Sequence, residues 1–195
     1  LRLDSPPNIP LNGATAPFLL ISAATLPLQT AWLIPLYGFA GMLVSLPWAL
    51  GVFRRDSHRP AAYLNILLTL LAFIHGSLVL RDVMAGGPTL LTFPWLNVAD
   101  LNLEISFSLS LTNVSALELI TGLSFFSQLY SLGYLAKEWA LARFFALLGF
   151  FEGAMSGVVL SDSLFQSYFL LEMPTLSTYL LVGFWYAQPL VATSP

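Results

Sequence analysis

The sequence predicts an all-α polytopic membrane protein, with about five transmembrane helices and one external β-hairpin, and three observations predict it. Hydrophobic residues make up 57% of the 195 and charged residues only 9%, with a mean hydropathy of +0.79, far from the roughly one-quarter charged content of soluble domains. Apolar runs at 28–53, 60–80, 111–136, 142–161 and 163–187 each come near the ~20 residues that cross a bilayer as a helix. Between the second and third runs, Leu101 to Leu111 alternates apolar and polar side chains without a break, the period of a half-buried strand. The organisation that follows is a Pro-rich extension (1–27), a membrane domain (28–187) containing the hairpin (89–111), and a short tail (188–195).

Taken in order, the apolar stretch Pro17 to Pro27 is too short to span and lacks a basic flank, which argues against a signal peptide. In the first span, Trp32 and Trp48 stand about 24 Å apart at ~1.5 Å per residue, as interfacial anchors do. Pro35 and Pro47 are expected to bend its ends. Arg54, Arg55 and Arg59 lie between spans one and two, and Lys137 and Arg143 between spans three and four. Those loops are expected on the cytoplasmic side, placing the N-terminus outside and the C-terminus inside. Thr89 to Leu96 is expected to pair with the first half of the alternating stretch across Asn97 to Asp100, with Pro94 at an edge or a bulge. An open sheet edge is excluded from lipid, so the hairpin belongs in water, either as a lid over its own helices or docked on a neighbouring subunit.

Composition also excludes functions. A pI near 5.1 and a formal charge of -3 resting on few ionisable groups do not make a nucleic-acid surface, which needs clustered Lys and Arg. Without cysteine there is no disulfide framework, thiolate metal site or cysteine nucleophile. No phosphate-cradling Gly loop or metal-ligand cluster is present, and Gly86-Gly87-Pro88 reads as a turn.

The candidate site lies in the last two spans, joined by Ser161-Asp162-Ser163. Each carries one glutamate near its middle, Glu152 and Glu172, equally far in sequence from Asp162. In an antiparallel hairpin both lie roughly 15 Å below the turn. A charged acid at a bilayer centre costs on the order of 3 kcal/mol, so such residues usually face a polar interior and mark proton relays or ion pathways. Whether these two meet depends on helix rotation, which spacing does not fix. Tyr168, Glu172, Thr175 and Tyr179 form one polar stripe on span five. Pro174 frees the Leu170 carbonyl beside it for water or a side chain, and a movable cation near Glu172 would switch the acid between proton-loaded and empty states. Each acid also has a packing reading: a helix-packing hydrogen bond for Glu172, and close approach through Gly149, Gly153 and Ser156 for Glu152. Glu118 and His75 are weaker candidates, with packing or interfacial roles as the alternative, and Asp162 is expected to cap span five.

Arg143-Phe144-Phe145-Ala146, Met155, Val158-Val159-Leu160, Asp162, Glu172 and Ser177 through Tyr186, together with Ser131-Leu132-Gly133-Tyr134, resemble chain 5 of complex I-type NAD(P)H dehydrogenases. This is the antiporter-like, proton-conducting subunit related to the large subunits of multisubunit cation/proton antiporters. The likeness covers roughly residues 28 to 191. It implies that Glu172 corresponds to the family's intramembrane glutamate on the fifth helix, which pairs with a lysine on a later helix in the proton path. It also implies an N-out topology and an external hairpin. Leu171 stands where many members have Trp, and Glu152 replaces a residue uncharged in the respiratory form. With Phe151 to Met155, these departures are similar to the cyanobacterial variants associated with inorganic-carbon uptake. The resemblance implies a multi-pass location in a cyanobacterial thylakoid or bacterial inner membrane. The implied partners are lipid and the other membrane-arm subunits of the oxidoreductase, and no nucleic acid. No cofactor is implied in this chain, while the parent complex uses quinone and NAD(P)H or ferredoxin. Family members continue through further helices, so the chain is expected to be an N-terminal fragment or one piece of a split subunit. Two other readings stand beside the pump component: a non-pumping structural subunit scaffolding a complex, and a small independent cation/proton exchanger.

Overall fold

The computed structural model describes residues 26–52, 59–86, 89–98, 101–135 and 140–185. Most of the Pro-rich extension, Arg54, Arg55, Lys137 and the tail lie outside the described residues. The elements are α1 (Leu26–Gln29), α2 (Leu33–Ala49), α3 (Arg59–Gly86), β1 (Thr89–Val98), β2 (Leu101–Leu109), α4 (Leu111–Tyr134), α5 (Leu141–Leu160) and α6 (Leu164–Val182), followed by a 3-10 turn at Gly183–Trp185. The described chain is thus mostly helical with one antiparallel hairpin.

By length and composition, α3 and α5 are long and apolar enough to cross a membrane. With 17 residues, α2 is shorter, and the polar side chains of α4 and α6 lower their hydropathy. The expected first span is divided, and Pro35 supplies the reason. It has no N–H for the Ala31 carbonyl, which accepts from Ile34 N instead at 3.1 Å, so the junction closes in tight i to i+3 turns before α2 starts. At the other end Pro47 sits in the last turn of α2, and Gly51 takes a positive φ of 75° as the chain leaves the helix.

The helices pack around α5, which lies against α2, α3, α4 and α6. Between α2 and α5 the backbones touch. A Cβ on Gly38 would stand 2.6 Å from Gly153 Cα, and one on Gly153 would stand 2.8 Å from the Pro35 carbonyl oxygen. Small residues allow this approach, the usual device where helices associate by van der Waals packing.

Three helices carry the same layered pattern in alternating direction. At the hairpin end, Ala72, Val79 and Val83 of α3, Val114 and Leu117 of α4 and Leu160 of α5 join Ile34 and Leu109 in one apolar cluster. At the other end Ala62, Leu135, Leu141, Phe145 and Phe184 form a second. Between the two clusters each helix turns polar: Asn65 and Thr69 on α3, Thr121, Ser124 and Gln128 on α4, Glu152 and Ser156 on α5, all buried.

In the hairpin, β1 and β2 pair from Thr89↔Leu109 to Val98↔Leu101, with a register shift between Pro94 and Leu96. Pairing therefore uses nearly the whole alternating stretch rather than its first half, and the irregularity falls at the proline, which lacks a ladder N–H. The hairpin is fastened to the α5–α6 turn. Phe107 bridges Ser161, Asp162 N donates to the Ser106 carbonyl at 3.1 Å, and Ser106 N donates to Gln166 Oε1 at 3.1 Å. The cap of α6 expected at Asp162 is displaced: the N-cap position is Ser163, without a side-chain cap bond. The engagement of the Asp162 backbone with β2 accounts for the offset. Replacing Gln166 with Leu should speed hydrogen exchange at the Ser106 amide while costing only about 1 kcal/mol of stability. Unchanged protection at Ser106 would show that the contact does not hold the hairpin.

A buried carboxylate cluster and an exposed acidic face

Glu152 is 1% exposed, in the polar layer between the two apolar clusters. Thr69 Oγ1 donates to its Oε2 at 2.6 Å. Gln128 Nε2 reaches the same oxygen at 3.2 Å and Thr69 Oγ1 at 2.7 Å. Three helices thus contribute one group each to a closed triangle of hydrogen bonds. Thr69 donates to the carboxylate and accepts from the amide, so the triangle fixes the orientation of Gln128. One turn before Thr69, Asn65 Nδ2 donates to the Phe145 carbonyl at 2.8 Å and to Ser45 Oγ at 3.2 Å. Its amide fills a slot between two glycines: a Cβ on Gly41 would stand 2.9 Å from Asn65 Oδ1, and one on Gly149 3.0 Å.

The cluster is held but not saturated. Asn65 Oδ1, Gln128 Oε1, Glu152 Oε1 and Ser156 Oγ are buried without a hydrogen-bond partner among the described residues. A buried polar atom left in this state costs about 1–3 kcal/mol. Replacing Thr69 with Val removes the shortest bond to Glu152 and leaves the Gln128 amide only its 3.2 Å bond to that carboxylate. The expected cost is about 1–3 kcal/mol, seen as a lower unfolding temperature that Thr69→Ser restores. A Val variant as stable as the wild type would show that the triangle contributes nothing.

Glu172 lies elsewhere. Leu170, Pro174 and Ser177 face α5: a Cβ on Gly157 would stand 3.1 Å from Leu170, and Ser177 Oγ donates to the Leu147 carbonyl at 2.7 Å. At 100° per residue Glu172 falls on the opposite side of α6, and it is exposed together with Tyr168, Thr175 and Tyr179. The stripe therefore shares one face, directed away from the described helices. Pro174 is buried against the bundle within a continuous helix, Thr175 Oγ1 donates to the Leu171 carbonyl at 2.9 Å, and Thr178 Oγ1 to that of Pro174 at 2.8 Å. The two mid-helix acids consequently stand in different surroundings, Glu152 inside and Glu172 outside.

Glu118 faces α3, where it accepts a hydrogen bond from Ser77 Oγ, while its Oε2 is buried without a partner among the described residues. His75 Nε2 lies 3.1 Å from Thr30 Oγ1 and 3.3 Å from the Pro27 carbonyl oxygen, and its ring stands edge-on to Tyr37. It ties α1 to α3. Sequence reasoning passes over Asn65, Thr69 and Gln128. Their only signal is an amide or hydroxyl at mid-depth in an apolar run, and three such runs contribute to one layer.

Comparison with known proteins gives a consistent answer. Residues 95–145 match the family profile described as NADH-Ubiquinone oxidoreductase (complex I), chain 5 N-terminus. The chain is 70% identical over 177 residues to an NAD(P)H-quinone oxidoreductase subunit 5, organellar chromatophore 2, of Paulinella chromatophora, covering 90% of this chain and 29% of that protein. It is 29% identical over 170 residues to the chloroplastic subunit 5 of Chara vulgaris, covering 85% of this chain and 26% of the relative. A second Paulinella protein, organellar chromatophore 1, matches at 29% over 82% of the chain and 24% of its own length. The chain thus spans less than a third of the length of the curated relatives it matches. The profile match and the identity over nine-tenths of its length place this chain in the chain 5 family of complex I-type NAD(P)H-quinone oxidoreductases.

Proposed function

We propose that this chain works as the N-terminal part of a proton-translocating, antiporter-like membrane subunit of an NAD(P)H-quinone oxidoreductase, with intramembrane glutamates relaying protons. The observation that carries this reading is the buried Glu152, set among partly unsatisfied polar groups in a layer between two apolar clusters. An acid maintained at that depth is expensive and is the ordinary mark of an ion or proton pathway. In this reading five helices cross the membrane, α1–α2 together forming the first, with the hairpin outside. Glu172 presents its carboxylate, with Tyr168, Thr175 and Tyr179, to protein or water beyond the described helices, where a lysine would set its proton occupancy. Glu152 extends the relay into the bundle. Redox chemistry resides in partner subunits, which hold the quinone and the NAD(P)H or ferredoxin sites.

The subclass reading is the inorganic-carbon-uptake form. Two subunit 5 relatives from one organism differ in their likeness to this chain, 70% against 29%, which supports a branch distinct from that of the second Paulinella protein. Native purification of the tagged chain, with measurement of protons moved per electron, tests the assignment. Recovery in a quinone-reducing, proton-translocating complex is the expected result. Recovery in a complex that moves no protons would favour a scaffold, and recovery alone with cation/proton exchange after reconstitution would favour a small exchanger.

A further inference from the structure

Five buried side-chain atoms lack a hydrogen-bond partner among the described residues: Asn65 Oδ1, Glu118 Oε2, Gln128 Oε1, Glu152 Oε1 and Ser156 Oγ. All are oxygens, and all lie on α3, α4 and α5. The two amide oxygens, and the two carboxylate oxygens when ionised, are acceptors only, so none of those four satisfies another, and the Ser156 hydroxyl alone among the five carries a donor. Water supplies two donors per molecule and is the usual occupant of polar interiors with two to four available partners.

Asn65 Oδ1 lies apart, in the slot between Gly41 and Gly149, while Glu118 and Gln128 belong to one face of α4. On α4, Glu118, Thr121, Ser124 and Gln128 recur at spacings of three and four and share one face. Thr121, Ser124 and Gln128 are buried and Glu118 half-buried. Opposite them on α3 stand Ser77 and Gly76 at the Glu118 level and Thr69 at the Gln128 level. At Gly76 a Cβ would stand 2.7 Å from Glu118 Oε2, so a bare backbone leaves that carboxylate its place. Ser156 continues the Glu152 side one turn toward the hairpin end. The interval from Glu118 to Gln128 corresponds to about 15 Å of helix, with the hydroxyls of Thr121 and Ser124 between. The Phe73 ring flanks the interval against Gly122.

We propose that this seam between α3, α4 and α5 binds internal water and joins Glu152 to Glu118 as one proton-conducting route, on the side of the bundle away from Glu172. The proposal rests on the proton-relay reading of Glu152. A proton arriving at Glu118 forms an O–H bond on the carboxylate, and its release to adjoining water breaks that bond. Each transfer along the water to Glu152 breaks one O–H bond and forms another, so one positive charge moves and nothing is oxidised. Thr69 and Gln128 are positioning residues that hold the terminal acceptor.

The test uses the complete complex in native membrane vesicles and reads protons taken up per electron transferred. Glu118→Gln and Glu152→Gln should each lower that ratio at least threefold, and the double variant should fall no further than the more impaired single one. A normal ratio in assembled Glu118→Gln beside a lowered one in Glu152→Gln would overturn the route while leaving the relay reading intact. Normal ratios in assembled Glu152→Gln and Glu172→Gln would overturn the relay reading itself. If a variant fails to assemble, a density map of the wild-type complex decides. Water within hydrogen-bond distance of Glu152 Oε1, Gln128 Oε1 and Glu118 Oε2 supports the route. An empty seam in a map that shows other buried waters overturns it.

Discussion

Gly38→Val should abolish the packed bundle, lowering the yield of assembled protein at least tenfold. A Cβ on Gly38 would run into Gly153 N, and would stand 2.6 Å from Gly153 Cα and 2.8 Å from the Gly149 carbonyl oxygen, where carbon contacts need ~3.5 Å or more. Every atom in its way is backbone, so no rotamer change relieves the clash. The helices must separate by about 1 Å, and in a bundle held by close packing that separation weakens every contact along the pair. Overpacking against movable side chains costs about 1–3 kcal/mol; against two backbones the cost should exceed that range. Gly133→Ala is the matched control, because a Cβ there meets nothing within 4 Å and helix propensity favours Ala by up to about 1 kcal/mol. Thermal unfolding in detergent and assembled yield should separate the two. A Gly38→Val protein that assembles like the wild type would show that α2 and α5 do not meet at this point.

The same contact bears on the site. Gly38 and Gly153 bring α2 against the face of α5 that lies one residue from Glu152, while Gly149 opens the slot for Asn65. Loss of the approach would therefore loosen the polar layer as well as the helix pair. A small residue that lets backbones meet and a polar residue that fills the space beside it act as one unit, so substitutions at Gly38, Asn65 and Gly149 should not add independently.

Period and composition made the helical character and the hairpin legible. Alternation from Leu101 onward has only one structural reading, since a strand alone places every second side chain on one face. Two local features escaped. The division at Pro35 depends on which carbonyl loses its donor, and the cap at Ser163 depends on a tertiary bond from Asp162 N to β2. Within the site, sequence spacing set Glu152 and Glu172 at one depth but not their directions. Rotation of α5 and α6 decided those, through Leu170 against Gly157 and Ser177 against Leu147. The Asn65, Thr69 and Gln128 contributions were hidden for the same reason. Each comes from a different place in the chain, and only packing brings them into the layer around one carboxylate.

Glu172→Gln should leave the subunit assembled and lower protons moved per electron at least fivefold. The first half of that expectation follows from where the side chain stands. Glu172 is exposed on the face of α6 opposite Leu170, Pro174 and Ser177, which make the contacts with α5. Gln has the same shape and keeps a hydrogen-bonding end, so neither helix packing nor the length of the polar stripe changes. The second half follows from chemistry: an amide does not exchange a proton in the physiological range, so a relay passing through this position stops at it. A scaffold predicts a different pattern, in which Glu172→Gln is silent and removal of 89–110 releases partner subunits. Comparing the two variants in one membrane preparation separates them. Assembled Glu172→Gln with a normal proton-to-electron ratio would remove Glu172 from the pathway and leave Glu152 as its remaining mid-helix acid, whereas a lowered ratio would assign a proton-transfer role to the outward face of α6.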